Sequence, residues 1–323
     1  MPSPFELRRH TLTSIVATGL LSLLTLPACG ASDSTDASSA VGEAGSGTLQ
    51  VAASFYPLAY LATQIGADHV TVTTLTKPGG EPHDLELTPG DVAEVSEVDL
   101  VVYLAGFQPS VDDAVTQAEP DHVFDAAASA DLARTFTPIE DGEEHDDEAG
   151  SIDPHFWLDP VRYAAVAGAL GTAFGEIDPD NAQEYAANAT AFADRLDALD
   201  GEFSSALAAC TQKNLVTSHN AFGYLAERYG FEQLGITGLT PEDDPSASSL
   251  AVVSDFVRDN DVATIYFETL VDPSVAEAVA AETGAATAVL DPLEGLTDDS
   301  AGDDYFEVMR SNLATLSSGQ SCG

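Results

Sequence analysis

Positive charge is the scarcest commodity in this chain. Ten Lys and Arg face 54 Asp and Glu among 323 residues, a formal net charge of −44, and only Lys77 and Lys213 are lysines. Such a surface repels nucleic acid and anionic substrates, so neither is an expected partner. A hydrophobic content of 44% still provides for a core, and the acidity reads as adaptation to a saline exterior. No HExxH pair occurs, which removes the helix-borne zinc motif of metalloproteases. Long apolar runs are also missing. The longest, "LTSIVATGLLSLLTL" (12–26), is too short to span a bilayer.

That run follows Arg8, Arg9 and His10 and reads as the h-region of an export signal. "LPACG" (26–30) then sets small residues before a cysteine, as bacterial lipoprotein signals do. The expectation is a signal peptide over 1–28 with Cys29 as the lipid-bearing first mature residue. Pro27 departs from the commonest form of that box, and a plain secretory signal is the alternative. Residues 29–47, rich in Gly, Ser, Ala and Asp, form a flexible tether. Together these predict a protein lipid-anchored at the outer face of the cell membrane without crossing it. Of three cysteines, Cys210 and Cys322 remain as an even pair in an oxidising compartment, which predicts a disulfide. A zinc-binding pair is disfavoured, since neither has a close Cys or His neighbour.

From Thr48 onward strands and helices alternate. Apolar strand patterns occur at 48–54, 69–75, 99–104 and 122–127, and again at 214–218, 231–236, 262–268 and 285–291. Thr88, Pro89 and Asp91 form a capping-box helix start, and Asp159–Pro160 and Asp178–Pro179 repeat the signal. The last opens a long pattern through Tyr185, Phe192, Leu196, Leu199, Phe203 and Leu207, with Gly201 as a candidate kink. Some 32 helical residues would run roughly 48 Å, longer than a small domain is wide. The predicted fold is therefore α/β, with two Rossmann-like lobes of parallel sheet at 48–177 and 210–323 and one rigid linking helix at 178–209.

Ligands of open parallel sheets sit beyond the carboxyl ends of the strands. His83 follows one strand by a short loop, His219 follows another directly, Asp291 closes a strand, and His155 sits in an aromatic turn before a proline-started helix. Two come from each lobe, so together they could close on one small ligand. Three imidazoles and a carboxylate suit Zn(II), while manganese prefers more oxygen.

"PGGEPHDLELTP", "DPHFWLDP", "SHNAFGYLAERYG" and "VLDPLEG" resemble the signature blocks of the zinc/manganese class of ABC-transporter substrate-binding proteins. The resemblance runs from Thr48 to Cys322 in the family's order and spacing. It implies two lobes bridged by a rigid helix, with metal captured between them outside the cell and delivered to an ABC permease. By the same resemblance the ligands are His83, His155, His219 and, in the carboxylate position, Asp291. His219 stands where manganese and iron members usually carry glutamate, which favours zinc. Zinc members often have a histidine-rich loop before the second block, whereas "IEDGEEHDDEAG" (139–150) is acidic with His145 alone as an auxiliary metal candidate.

Glu81, Glu86, Asp159 and Glu268 are candidate acceptors for the imidazoles' second nitrogens. Tyr56, Phe156, Trp157 and Phe222 are candidate apolar walls, and His69 and His122 have no expected ligand role. The sequon at 188–190 falls within the long helix and carries no expectation. The expected protein is a monomeric carrier and not an enzyme. The competing readings are a manganese or iron carrier of the same family, a zinc-dependent hydrolase and a surface adhesin.

Overall fold

The computed structural model describes residues 47–138, 150–241 and 243–323. The signal segment 1–28, Cys29, the tether up to residue 46, and His145 lie outside the described residues. Eight short strands and nine α-helices are present among them. The first lobe runs β1 (Leu49–Ala53), α1 (Tyr56–Gly66), β2 (Val70–Thr74), α2 (Pro89–Glu97), β3 (Leu100–Tyr103), α3 (Pro109–Ala118) and β4 (Val123–Asp125). Then come α4 (Pro160–Ile177) and the long α5 (Ala182–Leu207). The second lobe has β5 (Asn214–Thr217), α6 (Gly223–Tyr229), β6 (Glu232–Gly235), α7 (Ala247–Asp259), β7 (Thr264–Phe267), α8 (Ser274–Thr283), β8 (Ala286–Val289) and α9 (Tyr305–Gly319).

Both sheets are wholly parallel, and both have the same strand order: β2-β1-β3-β4 and β6-β5-β7-β8. Each reverses direction beside its first strand, so each has a switch point where loops diverge and leave a crevice. Alternation along the strands explains the layering. Val51 and Ala53 of β1 join a central apolar cluster, while Ala52 between them faces an outer cluster with Val95 of α2 and Val111 of α3. In the second lobe Leu215 and Tyr266 face the central cluster, and Val216 and Ile265 face Val253 of α7 and Val279 of α8. The central cluster is continuous, reaching from Leu58 and Leu61 of α1 through α4 and α5 to Leu225 of α6 and Leu316 of α9.

Helix α5 is the spine of that layer. Its 26 residues span about 39 Å, and they bury Tyr185, Ala189, Phe192, Leu196, Leu199, Phe203 and Leu207 along one stripe. The helix packs on α1, α4, α6 and α9, and Phe192 alone meets Tyr60 of α1, Tyr163 of α4 and Phe306 of α9. A Cβ at Gly171 would come within 2.8 Å of the Ala189 Cβ, so glycine there lets α4 lie close along α5. The helix runs unbroken through Gly201. Its start differs from the expected Asp178, because the Asp178 carboxylate instead accepts from Asn181 Nδ2 (2.7 Å) and Tyr185 Oη (2.8 Å). Asn181 becomes the cap residue. The capping box at Thr88 and Asp91 forms as the spacing predicts, and Asp159 caps α4. A disulfide joins Cys210, just after α5, to Cys322, just after α9. No described helix is long and apolar enough to cross a membrane.

Candidate metal centre

Four loops meet where the two sheets' carboxyl ends face each other. His219 follows β5 and Glu268 follows β7, so they flank the switch point of the second sheet. His83 arrives on the loop after β2, His155 on the turn before α4, and Glu294 on the loop after β8. One donor atom from each of His83, His155, His219 and Glu294 lies within 4.8 Å of all the others. Glu294 Oε1 stands 3.4 Å from His83 Nε2, 3.1 Å from His155 Nε2 and 3.5 Å from His219 Nε2. His155, His219 and Glu294 are fully or almost fully buried. Despite those distances, His155 Nε2, His219 Nε2 and Glu294 Oε2 make no hydrogen bond of acceptable geometry. Buried polar atoms without partners are costly, and the two imidazole nitrogens lie 3.1 and 3.5 Å from the same Glu294 oxygen.

The surrounding residues fix which nitrogen faces that spot. His155 donates from Nδ1 to Asp153 Oδ1 at 2.9 Å, and the same oxygen accepts the His155 backbone N–H at 3.0 Å. His219 donates from Nδ1 to Glu268 Oε1 at 2.6 Å, and Ser218 Oγ donates to that oxygen too at 2.8 Å. With the proton held on Nδ1, each neutral ring presents an Nε2 lone pair inward. His83 is held through its backbone, whose N–H donates to Glu81 Oε1 at 3.0 Å, while Gln108 Nε2 donates to Pro82 O at 3.1 Å. Phe107 meets the His83 ring edge-on at 4.6 Å between centroids, and Trp157 lies 5.2 Å from His155.

The electrostatics without a bound cation follow from crowding. Burial works against a charge on His219, yet Glu268 and Glu294 beside it raise its pKa well above the usual imidazole range. For His155, burial is likewise outweighed, by Asp153 and Glu294, and its pKa is raised. Burial dominates at His83 and lowers it. Burial also opposes the Glu294 charge, but the three imidazoles hold that carboxyl well below its ordinary value. Glu81 is pushed upward by burial and then by Glu294.

The structure thus brings His83, His155 and His219 together as the sequence predicts, but the carboxylate among them is Glu294. Asp291 stands outside the group: its Oδ1 accepts the Leu293 N–H at 2.7 Å and its Oδ2 accepts from Thr269 Oγ1 at 3.3 Å. Burial raises its pKa to about 6. Glu294 is missed by strand-end reasoning because it lies five residues beyond β8, on a loop whose shape sequence does not specify. Among the candidate acceptors, Glu268 and Glu81 touch the histidine segments, Asp159 is spent on capping α4, and Glu86 is exposed. Asp153 is a further omission, although its place two residues before His155 was a usable signal. Trp157 lines the site, whereas Phe156 and Phe222 are core and Tyr56 lies against Tyr60. His69 pairs with Glu184 on the surface, and His122 is exposed.

Two parallel-sheet lobes that enclose three imidazoles and a carboxylate at their seam define a two-lobed binding protein with a donor set for a transition-type cation. A family profile described as "ZnuA: Zinc-uptake complex component A periplasmic" matches residues 51–319. The chain belongs to this family. It is 34% identical over 306 residues to the high-affinity zinc uptake system protein ZnuA of Bacillus subtilis, covering 91% of this chain and 93% of that one. It is also 34% identical over 286 residues to the zinc-binding protein AdcA of Streptococcus pyogenes serotype M6, where the match covers 84% of this chain but only 56% of AdcA. The chain therefore spans little more than half the length of the AdcA relatives it matches. Among solved structures, the Zn(II)-bound ZnuA-like domain of Streptococcus pneumoniae AdcA superposes with a TM-score of 0.71 at 32% identity, covering 85% of this chain and 99% of that one.

Proposed function

We propose that this chain captures Zn(II) between its lobes outside the cytoplasm and hands it to an ABC permease. The ligands are His83, His155, His219 and Glu294. One observation carries the reading: the spacing from Glu294 Oε1 to the three Nε2 atoms, 3.1 to 3.5 Å, matches the edge of a zinc tetrahedron. Zn–N and Zn–O bonds near 2.0–2.1 Å put neighbouring tetrahedral ligands about 3.3 Å apart. The three Nε2 lone pairs and the unpartnered state of two of them are what an incoming cation satisfies. Three nitrogens to one oxygen favour zinc over manganese, whose preference is for carboxylate and water oxygen.

Four protein donors fill four positions and leave none for a water nucleophile, which argues against hydrolysis. Zinc is then cargo. The continuous apolar layer around α5 ties the lobes and resists wide hinge opening, so release proceeds by small tilts and loop shifts that withdraw one or two ligands. A lipid on Cys29 keeps a monomeric carrier at the membrane's outer face near its permease. The domain division follows the same reading: a first metal-binding lobe, the linking helix, and a second metal-binding lobe. Metal analysis of untagged protein, with competition titration of zinc against manganese, tests the proposal. Stoichiometric zinc that manganese does not displace is expected. Preferential binding of manganese, or no retained metal in wild type with unchanged behaviour on His219→Ala, overturns it.

A further inference from the structure

The loop that delivers Glu294 has an unusual backbone. Leu293, fully buried, sits at φ +60°, in the left-handed region that side chains other than glycine, Asn and Asp seldom adopt. A conformation of this kind persists only where its surroundings over-determine it. Here they do so at every preceding residue. Asp291 Oδ1 accepts the Leu293 N–H at 2.7 Å, closing a turn of Asp-x-Leu through the side chain. Thr269 Oγ1, next to Glu268 at the end of β7, donates to Asp291 Oδ2 at 3.3 Å. Asn312 of α9 grips the Asp291 backbone from both sides: its Oδ1 accepts the Asp291 N–H at 3.0 Å and its Nδ2 donates to the Asp291 carbonyl at 2.7 Å. Across the seam, the Trp157 indole donates to the Pro292 carbonyl at 2.7 Å. Pro292 itself restricts Asp291 to extended backbone.

We propose that Asp291 is a positioning residue for Glu294: its carboxylate, by accepting the Leu293 N–H, holds the left-handed turn that carries the Glu294 oxygen to within 3.1–3.5 Å of the three imidazole nitrogens. Asp291 acts as a hydrogen-bond acceptor in this role, so its negative charge is dispensable. An asparagine offers the same side-chain oxygen to the same N–H, whereas alanine offers nothing and frees Leu293 to relax to negative φ. Relaxation at one residue swings the next, and Glu294 leaves the group while the histidines stay. The assignment rests on the metal-binding reading above, and it separates Asp291 from the ligands by a property that a ligand does not share.

The test measures zinc affinity by competition with a chromophoric chelator, and the visible spectrum of the cobalt(II)-loaded protein, for Asp291→Ala, Asp291→Asn and Glu294→Gln in the full chain. Asp291→Ala is expected to weaken zinc by at least about tenfold, the lower bound seen when groups that orient ligands are removed, and Asp291→Asn by no more than about threefold. The cobalt spectrum of Asp291→Ala should resemble that of Glu294→Gln, and the spectrum of Asp291→Asn that of wild type. If Asp291→Ala does not fold, Asp291→Asn still decides. A loss in Asp291→Asn as large as in Glu294→Gln makes Asp291 a ligand and overturns the assignment. Wild-type affinity and spectrum in Asp291→Ala overturn it equally. A wild-type chain that binds neither zinc nor cobalt overturns the functional reading first, and that outcome is distinct from both.

Discussion

Glu268 provides the sharpest test of how the site is built. Its Oε1 takes a proton-bearing Nδ1 from His219 at 2.6 Å and the Ser218 hydroxyl at 2.8 Å, and both Glu268 and His219 are buried. Three effects follow from that one contact. It selects the tautomer with Nε2 free, it fixes the ring's rotation toward Glu294, and its charge makes the imidazole a stronger electron donor to a cation. In Glu268→Gln the amide oxygen keeps the hydrogen bond and the first two effects, and only the charge is lost. Glu268→Ala loses all three and leaves a buried N–H unpaired. Groups in this position typically contribute 10- to 100-fold in metal affinity, about 1.4 to 2.7 kcal/mol. The glutamine variant is expected near the lower bound and the alanine variant near the upper. Competition titration against a chelator of known affinity reads both, and His219→Ala sets the scale for complete loss of the ligand. Equal affinity in wild type and Glu268→Ala would refute the argument that ring orientation matters. A loss in Glu268→Gln as deep as in His219→Ala would instead make Glu268 itself a ligand.

Two further outcomes are expected. The raised pKa values of Asp291, near 6, and of His155 and His219 mean that these groups bind protons more tightly folded than unfolded; their stabilisation is complete at low pH and is lost as pH rises through the folded values. His83, lowered by burial, acts in the opposite direction, and only below the ordinary imidazole range. As pH rises above the ordinary imidazole range, therefore, the melting temperature of the metal-free chain falls while zinc affinity rises, because protons and metal compete for the same nitrogens; thermal melts and titrations with parallel slopes would contradict this. The Cys210–Cys322 bond closes a loop with a sequence separation of 112 residues. Chain-entropy arguments give such a loop about 4–5 kcal/mol, so Cys210→Ala/Cys322→Ala should unfold at clearly lower denaturant than wild type, with zinc affinity little changed.

Much of this was legible in the sequence, because local rules agreed with the global fold. Strand–helix alternation, the helices opened by Pro57, Pro89 and Pro160, and the Thr88–Asp91 capping box all depend on near neighbours, and these form as written. His219 was legible for a related reason, since it directly follows β5 and its position is tied to a sheet end, whereas His83 and His155 stand on longer loops and were legible through the sequence blocks that carry them. The exceptions share a different cause. Whether Asp178 caps α5 is settled by competition from Asn181 and Tyr185 for the same carboxylate. Which acid of "DPLEG" faces the imidazoles is settled by a left-handed Leu293 and by contacts from Trp157, Thr269 and Asn312, which come from three remote parts of the chain. Spacing along one segment carries no trace of those partners.

The acidic exterior and the nitrogen-lined interior sort ions by different rules. Sodium, magnesium and calcium are hard cations that seek oxygen, and the exposed carboxylates of a chain with 54 Asp and Glu give them ample places to dwell. None of them gains by exchanging that coat for imidazole. Behind the aromatic wall of Phe107 and Trp157, the donors are ones those ions decline and zinc accepts. Where such competitors outnumber a trace metal, the surface can be saturated without the cleft being blocked. Discrimination then costs the protein no gate: abundance governs the outside, and the kind of atom offered governs the inside.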